Sequence, residues 1–314
     1  MPKTGSVSSS LDPSLAARTT FRADAGTVRA TLDELASILT LAGVADTRDT
    51  ARDVLAAIMH LPRYWSVVSS NVVLDRHVAS AARLAAERLA AGAPFAYAVG
   101  SAQFRNLTLN VDERALIPRP ETEILVEEIL TRFRASNSGD GDWGTAVDIG
   151  TGSGAIALSL ATEGRFSRVI ATDNSLDALD VARANAAITG EALRCPVEFR
   201  SGSLLAPVRD IKARLLASNP PYIAYEEASD LPPSVRSWEP PTALLCGSNG
   251  LAVTATIVQE GMSLLEPGGI LALEVDERRA SVVAEQVMSG GGYVDVSVVL
   301  DLTGRERFVF ASRA

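Results

Sequence analysis

From Thr145 onward the chain alternates short apolar runs with longer amphipathic ones, and this alternation constrains the fold more than any other feature. Candidate strands fall at residues 145–149, 168–172, 196–200, 213–218, 269–275, 293–299 and 306–312. Helical periodicity occupies about 153–163, 175–189, 249–265 and 277–289 between them. Strands separated by helices predict a mostly parallel sheet covered on both faces, because parallel neighbours need a long crossover. The last two strands are joined only by Asp301-Leu302-Thr303-Gly304-Arg305. A connection that short permits a hairpin and no helical crossover, so the expected α/β sheet is mixed, with an antiparallel strand at its end.

Open α/β sheets bind ligands at the carboxyl ends of their strands, and two such ends carry chemistry here. Ala146-Val147-Asp148-Ile149 runs into Gly150-Thr151-Gly152-Ser153-Gly154 and then a helix. Glycines let the backbone turn tightly and approach a ligand with no Cβ in the way. Gly150-x-Gly152-x-x-Ala155 also satisfies the dinucleotide pattern, so the loop alone leaves two cofactors open. Asp173, which ends the next strand, can accept both ribose hydroxyls of either an NAD or an S-adenosylmethionine adenosine. Asp148, two residues before the first glycine, suits an ammonium or sulfonium better than a pyrophosphate.

The second end follows Leu215-Leu216-Ala217, where Asn219-Pro220-Pro221-Tyr222 stops the strand with two consecutive prolines. An amide, a stiff backbone and an aromatic ring suit a planar nitrogen group. If the cofactor is S-adenosylmethionine, the nucleophile must be aligned with its methyl. The side-chain oxygen of Asn219 and the carbonyl of Pro220 can accept both hydrogens of an NH2 group and turn its lone pair toward the methyl. Tyr222 packs on the planar group, and the prolines fix the carbonyl direction. Orientation of this kind is worth up to ~7–11 kcal/mol of barrier.

Upstream, residues 27–92 are helical throughout, with expected helices ending at Gly43, before Pro62 and at Gly92. No cluster of titratable groups there reads as catalytic. From Phe95 to Val111 the pattern turns β-like and predicts a linking hairpin with Asn106 at its turn. Leu116-Ile117-Pro118-Arg119-Pro120-Glu121-Thr122-Glu123 is a stiff loop opening a helix. The expected organisation is a disordered tail over 1–26, a helical domain over 27–93, the hairpin over 94–114 and an α/β domain over 115–314. A net charge of −9 argues against a broad nucleic-acid footprint, which needs a basic face. No run reaches the ~18 apolar residues of a membrane span. Two cysteines, Cys195 and Cys246, and two histidines, His60 and His77, show no metal-ligand spacing, so no metal is expected. Unpaired cysteines fit a cytoplasmic protein.

Over roughly residues 30–312 the chain resembles the release factor glutamine methyltransferases, the protein-(glutamine-N5) methyltransferase family. The resemblance is carried by Leu61-Pro62-Arg63, Phe104, Leu116 to Glu123, Asp148 to Ala157, Asn219 to Ile223, Glu239-Pro240-Pro241-x-Ala243-Leu244 and Gly250-Leu251. The tetrad is shared with nucleic-acid amino-methyltransferases, whereas the Ile-Pro-Arg-Pro-Glu-Thr-Glu segment is more specific to the protein-modifying branch. The resemblance implies a seven-stranded, Rossmann-like class I methyltransferase sheet and S-adenosylmethionine as donor. It implies methylation of the glutamine amide in the Gly-Gly-Gln loop of class 1 peptide chain release factors, docked by the helical domain. Carried over, Asp148, Gly150, Thr151, Gly152, Ser153, Gly154, Asp173 and Asn219 hold the cofactor, while Asn219, Pro220, Pro221 and Tyr222 hold the glutamine. Two departures stand out. Ser203, followed by Leu204, occupies the place near the adenine where such enzymes often carry an acid. Asp276 stands two residues after Glu274, where the family tends to have glycine. The alternatives are a DNA or RNA amino-methyltransferase acting on adenine N6 or cytosine N4, a non-catalytic module that kept the fold, and an NAD-dependent dehydrogenase. The last leaves the tetrad without a task.

Overall fold

The computed structural model describes residues 26–136 and 141–314. The expected tail therefore lies outside the described residues apart from Gly26. The chain divides into two units, one up to Ala90 and one from Ala91 to Ala314.

In the first unit, α1 (Val28–Leu41), α2 (Thr47–Met59) and α3 (Arg76–Ala90) pack on one another. Their apolar stripes bury Leu35, Leu39, Val54, Leu55, Ala82 and Ala86. Thr27 starts α1 by accepting the Ala30 N–H on its side-chain oxygen. Helix α2 ends at His60 in the left-handed region, two residues ahead of Pro62.

The second unit begins differently from what its sequence pattern predicts. Phe95–Val99, read as β-like from its apolar spacing, forms a short helix entered from Pro94 and closed by Gly100 at φ 75°. Proline fixes the entry dihedral, and a glycine at positive φ ends the turn at no steric cost. The hairpin then pairs β1 (Ser101–Phe104) with β2 (Leu107–Asn110) around Arg105-Asn106. It is followed by α4 (Pro120–Ser136), β3 (Thr145–Ile149), α5 (Ala155–Glu163), β4 (Arg168–Asp173), α6 (Leu176–Thr189), β5 (Val197–Ser201) and β6 (Ala213–Ser218). A small parallel pair, β7 (Ile223–Ala224) and β8 (Leu245–Cys246), precedes α7 (Ala252–Leu264), β9 (Leu265–Glu274), α8 (Ala280–Ser289), β10 (Tyr293–Leu300) and β11 (Glu306–Arg313).

Seven strands form one sheet in the order β10-β11-β9-β6-β3-β4-β5. Pairing is parallel from β9 to β5, and β11 lies antiparallel to both β9 and β10. The mixed, seven-stranded α/β sheet is thus the one expected. Side chains alternate between two apolar layers. Ala146, Leu215 and Ala217 join the layer holding Leu125, Ile129 and Phe133 of α4. Val147, Ile149 and Leu216 join the opposite layer with Ile257 of α7 and Val283 of α8. Phe133, Trp143 and Phe166 form an aromatic cluster with ring centroids 5.0–5.4 Å apart. From β3 the chain moves outward through β4 to β5, then crosses back to place β6 on the other side of β3. The order reverses between β3 and β6, and such a switch point opens a crevice at the strand ends.

Candidate active site

The glycine loop leaves β3 and turns across this crevice. Gly150, Gly152 and Gly154 take φ values of 73°, 55° and 87°. A Cβ on Gly150 or Gly152 would meet no atom within 4 Å, so both expose bare backbone to open space. Gly154 serves packing instead, because a Cβ there would lie 3.2 Å from Leu158 and 3.4 Å from Ala182. The N–H groups of Gly150 and Thr151 both donate to the Thr172 carbonyl at 2.9 Å, fastening the loop to β4.

The two aspartates have different places. Asp173 sits on the cavity wall, its Oδ2 accepting the Gly152 N–H and its Oδ1 the Ser175 N–H, each at 2.9 Å. Asp148 is fully buried under the loop. Its Oδ2 accepts the Thr151 hydroxyl at 2.6 Å and the Ala157 N–H at 3.2 Å, and burial pushes its pKa up to about 7. It shapes the loop from beneath and does not line the cavity. Thr151 and Ser153 are likewise buried, and the Ser153 carbonyl accepts from Asn185.

A cavity of about 390 Å³ occupies the crevice. Gly150, Gly152, Asp173, Leu204, Asn219 and Pro220 are among its walls, so the glycine loop and the tetrad meet in one space. Pro221 also lines it, whereas Ser203 does not. A smaller cavity of about 120 Å³ shares Asn219 and Pro220 and is lined further by Tyr222, Arg119, Val235 and Leu244. Burial raises the Tyr222 hydroxyl to about 12, so it stays protonated.

The tetrad is held from two sides that the sequence did not reveal. On one side Asn219 Nδ2 donates to Thr122 Oγ1 at 3.0 Å, and the Thr122 hydroxyl donates to Glu274 Oε2 at 2.7 Å. Thr122 lies in the first turn of α4 and Glu274 ends β9; both are buried, and burial raises Glu274 to about 7. A carboxylate closing the apolar run Ile270 to Leu273 was the visible signal for Glu274. On the other side, Gly250 at φ 78° leaves no room for a Cβ against the Tyr222 carbonyl, and Arg279 holds the preceding residue by donating to the Asn249 carbonyl at 2.6 Å. Arg119 pairs with buried Glu239 at 2.7 Å, and Glu239 also accepts the Ile117 N–H at 3.3 Å. That pair ties the Pro-Arg-Pro loop to Glu239-Pro240-Pro241.

The glycine loop and the Asn219-Pro220-Pro221-Tyr222 tetrad meet at the switch point of a Rossmann-like sheet, the arrangement expected of a methyltransferase. Residues 121–231 match the family model described as Methyltransferase small domain. The hMettl16 catalytic domain, solved in complex with the MAT2A 3'UTR hairpin 6, shares the fold at TM-score 0.52 and 16% identity, over 74% of this chain and 81% of that one. Curated relatives are more specific. The chain is 37% identical to the release factor glutamine methyltransferase of Deinococcus radiodurans, over 91% of this chain and 99% of that protein. It is 38% identical, over the same shares, to the release factor glutamine methyltransferase of Moorella thermoacetica. This chain belongs to the release factor glutamine methyltransferase family.

Proposed function

We propose that the protein transfers a methyl group from S-adenosylmethionine to the side-chain N5 of the glutamine in the Gly-Gly-Gln loop of class 1 peptide chain release factors. The observation that carries this reading is the direction of the Asn219 amide. Its NH2 gives one hydrogen to Thr122, which turns Oδ1 to the opposite side as an acceptor at the strand end. A glutamine amide is a poor nucleophile because its lone pair is delocalised. Asn219 Oδ1 and the Pro220 carbonyl would each accept one of its hydrogens, fixing the group in the orientation that attack requires. Tyr222 would pack on the amide plane. The proton displaced when nitrogen gains its fourth bond leaves afterwards to water or a neighbouring acceptor, so no strong base is needed.

The larger cavity suits a nucleoside. Gly150 and Gly152 would let its chain approach bare backbone, Asp173 would accept ribose hydroxyls, and Leu204 would contact the base. S-adenosylmethionine, when bound, supplies the electrophilic methyl. Asp148 would act through the loop it supports, and Thr151, Ser153 and Gly154 by shaping it. The helical unit would dock the release factor. That substrate, a translation factor, sets the reaction in the cytoplasm. Among the described residues no helix is long and apolar enough to cross a membrane.

The test offers labelled methyl donor with a release factor and with nucleic acid in separate reactions. A single methyl placed on the Gly-Gly-Gln glutamine by peptide mass spectrometry is the expected result. Label in nucleic acid and none in protein would overturn the proposal.

A further inference from the structure

We propose that Thr122 and Glu274 are positioning residues that set which way the Asn219 amide faces. The inference rests on the reading above, in which Asn219 Oδ1 accepts a hydrogen from the substrate nitrogen. A side-chain amide has two orientations related by a half-turn, and only its hydrogen-bond partners distinguish them. Thr122 Oγ1 has one hydrogen, and it is directed to Glu274 Oε2 at 2.7 Å. Only lone pairs remain for Asn219, so the Asn219 NH2 must face Thr122, as it does at 3.0 Å. The flipped amide would set Oδ1 against the Thr122 oxygen with no hydrogen between them. An acceptor at Glu274 thus dictates an acceptor at the other end of the chain, facing the cavity.

The three residues come from α4, β6's carboxyl end and β9, separated by 97 and 152 positions. The direction of the relay depends on the charge of Glu274. Burial opposes its ionised form, as does Glu121, while the Thr122 hydrogen bond, Arg307 and Arg119 favour it. The Tyr222 hydroxyl, held protonated by burial, is in turn raised by the Glu274 charge. Protonated Glu274 can donate to Thr122, which frees the Thr122 hydrogen for Asn219 Oδ1. The relay then runs backward and the acceptor turns away from the substrate. Methyl transfer should therefore have an acidic limb near pH 7 that belongs to Glu274.

The test combines two readouts on the full chain. The protein is labelled with 15N-asparagine, and the Asn219 side-chain NH2 pair, identified by its loss in Asn219→Ser, is followed by NMR as pH crosses 7. It is expected to titrate in the wild type and in Thr122→Ser, and not in Thr122→Val or Glu274→Gln. In kinetics on a release factor, Thr122→Val should lower kcat roughly 100-fold with KM for the methyl donor nearly unchanged. Thr122→Ser should restore it, and Glu274→Gln should abolish the acidic limb. An NH2 pair indifferent to pH and to both substitutions overturns the relay, as does wild-type kcat in Thr122→Val. NMR coupling in a protein that leaves the release factor unlabelled supports the relay and refutes the proposed substrate.

Discussion

Replacing Gly250 with alanine separates backbone support of the tetrad from simple conformational preference. Gly250 has φ 78°, and a Cβ there would fall inside the Tyr222 carbonyl oxygen's contact radius and 2.9 Å from Arg279 Nε. The left-handed conformation costs a residue with a Cβ roughly 1–2 kcal/mol. Overpacking against a neighbour that cannot swing aside adds roughly 1–3 kcal/mol, and a peptide carbonyl is such a neighbour. The expected loss is therefore roughly 2–5 kcal/mol, a large part of the ~5–15 kcal/mol that holds a domain folded. Gly304 supplies the control, since it has φ 82° and a Cβ there would meet nothing within 4 Å. Gly304→Ala should lose only the roughly 1–2 kcal/mol of the dihedral and keep full turnover. Urea denaturation of both variants gives the collision energy as their difference. Because the displaced carbonyl belongs to Tyr222, Gly250→Ala should also lose turnover by roughly 100-fold, the usual penalty for misplacing a reacting group by an ångström. Equal stability of the two variants, with wild-type turnover in Gly250→Ala, would refute the idea that the tetrad is braced from behind.

Further outcomes can be checked alongside. Asn219→Ala should cut kcat by roughly 2–4 kcal/mol of transition-state stabilisation, with methyl-donor affinity in calorimetry changed far less; unaltered turnover would remove Asn219 from its assigned task. Phe133→Ala opens the aromatic cluster with Trp143 and Phe166 and should destabilise by roughly 3–5 kcal/mol in the same urea assay. Burial raises Asp148 from 3.8 and Glu274 from 4.5 to about 7, so the folded state holds their protons more tightly than the unfolded chain. Their contribution is thus fully present at low pH and is lost as pH rises from the unfolded values through 7. Asp148→Asn should flatten that slope, gaining on the order of 3 kcal/mol relative to wild type at about pH 8 compared with about pH 5; an unchanged slope would mean Asp148 titrates normally.

The sheet was legible because its signal is local. Apolar runs such as Val169 to Ala171 and Leu215 to Ala217 are buried on both sides, and five residues between β10 and β11 leave room only for a hairpin. The loop and tetrad were legible because glycine and proline restrict the backbone wherever they stand. Other features were not local. Phe95–Val99 has apolar spacing compatible with either periodicity, and Pro94 with Gly100 decided for a helical turn. The β7–β8 pair is two residues long on each side, too short to leave a pattern. Asp148 was read as facing a ligand, yet a residue two positions before a turn can point under it as readily as across it. Thr122 and Glu274 reach Asn219 only through tertiary contacts between distant segments, and no spacing in the chain announces that.

The paired prolines after β6 also govern what the protein refuses. Pro220 and Pro221 carry carbonyls and no N–H, and Asn219 has turned its NH2 inward to Thr122. The strand end is therefore rich in lone pairs and poor in hydrogens. A glutamine amide brings two hydrogens to such a surface, whereas the glutamate left by deamidation brings lone pairs and a negative charge. Sites built around a substrate's hydrogen-bonding group reject analogues lacking it by roughly 10⁴–10⁵-fold. A release factor damaged at that one side chain would be passed over, so methylation by this family would also mark which copies still carry an intact amide.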